Sequence, residues 1–63
     1  MKLKDLLYIT TFGTKVVLFV FDDGFMLPRI EFVVGKQTHK YDEFNINNVC
    51  LIGDELHLRV NNR

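Results

Sequence analysis

The stretch Val49-Cys50-Leu51-Ile52-Gly53-Asp54-Glu55-Leu56-His57-Leu58-Arg59-Val60 decides the fold. After Gly53-Asp54, Glu55, His57 and Arg59 alternate with Leu56, Leu58 and Val60, the period-two pattern of a half-buried strand. A two-residue Gly53-Asp54 turn sets Leu51 against Leu56 and Val49 against Leu58 on one face. It sets Cys50 against His57 on the other. Pattern and turn agree, as they do in a real hairpin.

Upstream, Lys15 to Phe21 is β-branched and aromatic, which predicts a strand. Asp22-Asp23-Gly24 then signals a turn. A two-residue Asp23-Gly24 loop would set Lys15 opposite Phe32 and Val16 opposite Glu31. A three-residue loop, with Gly24 left-handed, sets Phe21 opposite Phe25, Lys15 opposite Glu31 and Val16 opposite Ile30. The second register pairs opposite charges and is preferred. Pro28 cannot donate to a ladder, so it marks an edge or a bulge in the returning strand, which continues from Arg29 to Val34. Gly35-Lys36 reads as a turn, Gln37 to Tyr41 as a weaker strand, and Asp42 to Asn47 as a loop. At the other end Leu3, Leu6 and Leu7 fall at i, i+3 and i+4, which predicts a short helix over residues 2–8. The expected class is α+β and β-dominated: one domain over residues 1–63, a small antiparallel meander of about five strands, and one N-terminal helix on a face. Curling of the sheet into a half-barrel is the alternative arrangement.

Sixty-three residues lie near the lower limit for a chain that folds alone, which leaves little room for a deep substrate cavity. Lys plus Arg number 8 and Asp plus Glu number 8, so net charge points to neither nucleic acid nor an anionic membrane. A single cysteine, Cys50, excludes an internal disulfide, and a secreted domain of this size usually needs several. Asp5 interrupts the opening residues, so no signal peptide is read. The longest apolar run, Val16 to Phe21, is far short of a membrane span. The expected location is therefore the cytoplasm.

The residue types that carry chemistry are present but not assembled. Cys50 and His57 are expected neighbours, yet a closed zinc site needs four ligands and no Cys-x-x-Cys or His-x₃-His spacing occurs. Cys50 reads as a structural cysteine. The doublets Asp22-Asp23, Asp42-Glu43 and Asp54-Glu55 sit at expected turns, where turn chemistry accounts for them. Gly13, Gly24, Gly35 and Gly53 each separate two strands and form no phosphate loop. No cofactor, metal or catalytic set is expected, and an enzyme is the weakest class. Lys36, His39, Lys40 and Tyr41, with Arg59, define the alternative of a small nucleic-acid-binding barrel; the acids Asp42 and Glu43 that follow at once count against it.

The aromatic surplus is more informative. In the preferred register Val16, Leu18 and Val20 share a face with Met26 and Ile30, which suits the core. Phe19, Phe21, Phe25 and Leu27 share the other. One short helix cannot cover both faces of such a strand. Either the sheet closes on itself or an apolar patch is left for a partner, with Arg29 as its polar anchor.

Met1-Lys-Leu-Lys-Asp-Leu-Leu7, then Thr14-Lys15-Val-Val with its Asp-Asp-Gly turn, and the ending Val49-x-Leu-Ile-Gly-Asp-Glu-Leu-x-Leu-x-Val60 resemble small phage and mobile-element proteins of Gram-positive bacteria. The resemblance covers the two ends and not Leu27 to Ile46. Such proteins include anti-CRISPR inhibitors, which bind a host nuclease. Nuclease inhibitors are often strongly acidic DNA mimics, whereas this chain is neutral, which counts against that mode and leaves an apolar patch or a loop; the resemblance itself supplies no site residues. The function expected is a non-catalytic protein-interaction module binding a protein such as a host nuclease through Phe19, Phe21, Phe25, Leu27 and Arg29. Self-association, as a homodimer or structural subunit, is the remaining alternative.

Overall fold

The computed structural model describes residues 1–62. The elements are α1 (Leu3–Ile9), β1 (Lys15–Asp22), β2 (Phe25–Met26), β3 (Ile30–Val33), β4 (Asn45–Ile52) and β5 (Glu55–Asn61). The strand-dominated class, the five-stranded sheet and the single short helix are those expected from the sequence. The sheet is not closed into a barrel: β4 forms one edge, and β2 and β3 together form the other.

The strand order differs from a consecutive meander. It runs β2 and β3, then β1, then β5, then β4, with β1 and β5 parallel from Lys15↔Glu55 to Phe21↔Asn61. The β4–β5 hairpin pairs Leu51 with Leu56, Val49 with Leu58 and Cys50 with His57, as its turn predicts. Its other strand starts earlier than expected, at Asn45, with an irregularity between Ile46 and Asn48 where Asn47 is the extra residue. The expected strand over Gln37 to Tyr41 is absent. That segment is a turn-rich connection held to the body by Tyr41, which is buried and packs edge-on against Phe44.

The register between β1 and its returning strand also differs. Phe21 faces Met26 and Asp22 faces Phe25, so the turn is the two-residue Asp23-Gly24 loop. Both turn residues have positive φ, 52° and 86°, as a type I′ turn requires. Gly24 is left-handed as expected, but the loop is one residue shorter. Past Pro28 the register slips once more, and Lys15 faces Val33 while Leu18 faces Ile30. The strand breaks at Leu27–Arg29, around the residue that cannot donate.

One face of the sheet carries the core. Val16, Leu18 and Val20 of β1 and Leu58 and Val60 of β5 are buried with Leu3 and Leu7 of α1, Val34 and Tyr41. Leu6, Leu27, Ile30, Phe32, Phe44, Ile46 and Leu56 pack around them. The helix starts with the Asp5 carboxylate accepting from the Lys2 backbone N–H, half of a capping box. Leu3 N–H donates to the Phe44 carbonyl and Lys4 N–H to that of Asp42, which fixes the helix over the core.

Candidate interaction surface

Among the described residues no helix lies over the second face. Alternation along the strands places Lys15, Val17, Phe19 and Phe21 there from β1, and Glu55, His57, Arg59 and Asn61 from β5. Asn48, Cys50 and Ile52 join them from β4. Val17 is buried even so, between its ladder partners Glu31 and His57. Phe19 and Phe21 are half-buried. The Phe19 and His57 rings lie 6.2 Å apart between centroids, tilted by 32°.

Two shallow depressions share this face. The larger, about 550 Å³, is lined by Phe21, Arg59 and the side chains around Asn47, Asn48 and Asn61. The smaller, about 310 Å³, is lined by Phe19, Cys50, Ile52, His57 and again Asn48 and Arg59. They share Asn48 and Arg59 and together make a trough across β1, β5 and β4, with the bulge residue Asn47 at the larger depression. Asn62 closes one end: its side-chain amide donates to the carboxylates of Asp22 (2.7 Å) and Asp23 (3.0 Å).

At the other end Lys15 joins three strands. Its ammonium lies 3.2 Å from Glu55 and 3.3 Å from Glu31. Glu55 and then Glu31 hold the Lys15 ammonium above its ordinary range. Lys15 first, then His57, holds the Glu55 carboxyl below the usual carboxylate range. His57 Nε2 is 3.2 Å from Glu55 Oε1, so the imidazole that faces Cys50 is already engaged with a carboxylate. Among the described residues no group of three or more His, Cys, Asp or Glu side chains could hold a metal ion, and no helix is long and apolar enough to cross a membrane.

The residues expected to form one patch are divided. Phe19 and Phe21 lie on the open face. Phe25, opposite Asp22, is turned to the face of Val20 at the exposed turn, because the loop is one residue shorter than expected. Leu27 packs against the core, and its N–H donates to the Val20 carbonyl. Arg29 is exposed beside Glu31, 3.6 Å away. Met26, facing Phe21, takes the place assigned to Phe25. Arg59, named in the sequence only for a basic surface, is the cation that borders both aromatics; its place in the β5 alternation was the available signal. In the basic cluster Tyr41 is buried, Lys40 lies over its ring at 5.6 Å, and His39 is 3.0 Å from Asp42. The ring that base stacking would need is inside the core.

The chain matches no known family model, no curated protein and no solved structure.

Proposed function

We propose that this chain is a non-catalytic protein-binding module whose contact surface is the open sheet face around Phe19, Phe21 and Arg59. The observation that carries the reading is the trough those residues line, on a face that no other part of the described chain covers. Aromatic side chains and arginine are the usual binding hot spots, and here Phe19 and Phe21 stand half-buried in the sheet beside an exposed Arg59. Asn48 and His57 supply polar groups that fix orientation. The resemblance to phage-type inhibitors directs the search to host nucleases in the cytoplasm.

The test is Phe21→Ser with Arg59→Ala, each titrated against purified candidate nucleases. Because the sheet is open and Phe21 is only half-buried, the fold should survive, shown by an unchanged circular dichroism spectrum. Affinity for the true partner should fall at least about tenfold, the scale of a hot-spot loss. A folded Phe21→Ser that binds as tightly as the parent removes this face as the contact surface.

A further inference from the structure

Among the described residues, the outer edge of β4 is free over a short stretch and closed beyond it. At its start the segment Met1–Leu3 already pairs there: Leu3 N–H donates to the Phe44 carbonyl, Ile46 N–H donates to the Met1 carbonyl, and Lys2 bridges Asn45. At its end the Gly53-Asp54 turn begins. What remains is Asn48–Ile52, just past the bulge. This stretch holds no charge and no proline, two of the devices that protect an edge. Its side chains are exposed to both sides, with Val49 at 51%, Leu51 at 69% and Ile52 at 55%.

The hairpin fixes which backbone groups are available. Ile52 and Glu55 flank a two-residue turn and exchange both hydrogen bonds, so by alternation Cys50 and Asn48 also face β5. Val49 and Leu51 therefore direct their N–H and C=O groups outward.

We propose that this stretch pairs with the same stretch of a second copy of the chain, antiparallel, about a two-fold axis at Cys50. This register fits the free length. It sets Val49 against Leu51 and Asn48 against Ile52 of the second copy, and the outward groups of Val49 and Leu51 make the new ladder bonds. Centring on Val49 would drive Ile52 of the second copy onto Ile46, where Met1 is bonded. Centring on Leu51 would leave Asn48 outside the ladder. Here the paired strand ends at Ile52, opposite Asn48, and the turn that follows brings Asp54 of one copy to the level of Ile46 and Met1 of the other, one residue from Lys2. The two Cys50 residues then form a non-hydrogen-bonded pair, with Cα atoms about 4.5 Å apart, within the span of a disulfide. The new ladder is short, so the dimer is weak and its population follows concentration.

The test is amide hydrogen exchange on the reduced chain across a concentration series up to about 0.5 mM, with sedimentation equilibrium on the same samples. The Val49 and Leu51 amides should gain protection together as the dimer mass appears, while the Cys50 amide is protected throughout. Diamide, a two-electron oxidant that takes up the two thiol protons, should then join the two Cys50 side chains. Leu51→Lys should hold the chain monomeric and slow that cross-link at least about tenfold, as a lysine on an edge blocks pairing. A strictly monomeric parent, or Val49 and Leu51 amides whose exchange ignores concentration, overturns the proposal. So does a monomer that protects those amides only when an unrelated extended peptide is added. Phe21→Ser leaves this edge untouched, so loss of partner binding and loss of pairing are separable.

Discussion

Lys15 Nζ lies 3.2 Å from Oε2 of Glu55, its direct neighbour across the parallel β1–β5 pair. The sign of its pH effect follows. The Glu55 carboxyl titrates lower in the fold than in the unfolded chain. Its contribution is therefore present above the ordinary carboxylate range, about 4.3, and is lost as pH falls through the lower folded value. Lys15 is raised, so its contribution is present below about 10.4 and is lost as pH rises through the higher folded value. Lys15→Met should flatten both limbs of a plot of thermal midpoint against pH. A mutant whose acid and alkaline limbs match those of the parent would show that the pair is inert.

Leu58 and Val49 face each other across the hairpin but differ in burial, 1% against 51%. Leu58→Ala should cost about 2–5 kcal/mol, most of what a domain this small has to lose. Val49→Ala, already open to water, should cost well under half as much. Chemical denaturation of the two variants checks the ranking, and equal costs would contradict the placement of the core.

Gly24 at φ 86° occupies the second left-handed position of its turn. Gly24→Val should cost about 1–3 kcal/mol, since a β-branched residue resists positive φ. Gly24→Ala should cost less. No Cβ clash confuses the reading, because nothing lies within 4 Å of the added atom. Equal stability of all three proteins would rule out the type I′ turn.

Tyr41 separates a core role from a basic-surface role for its segment. Tyr41→Ala should destabilise by about 3–5 kcal/mol, the scale of a buried aromatic, whereas Lys36→Ala should stay within about 0.5 kcal/mol of the parent. Thermal melts of both decide it. A Tyr41→Ala protein as stable as its parent would return the ring to the surface.

The β4–β5 hairpin was legible because turn length, alternation and cross-strand partners all lie within one local stretch. The β1 hairpin was half legible, for an instructive reason. The Lys15–Glu31 attraction favours a register with the two directly opposite, and that ion pair does form, at 3.3 Å. It forms diagonally, because Lys15 stands opposite Val33. A charge pair across strands fixes which face two residues share, and long side chains then tolerate a shift of two. The turn itself depended on Asp23 accepting a left-handed backbone, which aspartate does more readily than most residues. The patch therefore kept Phe19 and Phe21, whose faces follow from β1 alone, and lost Phe25 and Leu27, whose faces follow from the register. The parallel β1–β5 contact left no local mark, since neither strand's pattern names its neighbour.

That contact also sets the order of assembly. Each β1 residue from Lys15 to Phe21 meets a partner forty positions later in the chain. During synthesis the central strand must wait, apolar on its inner face, until β5 has left the ribosome. The β4–β5 hairpin is a local closure, whereas the β1–β5 pairing must close a much longer loop, so the larger entropic cost falls on that junction. For so short a chain this implies slow folding and a transient need to shield Val16, Leu18 and Val20 from other chains.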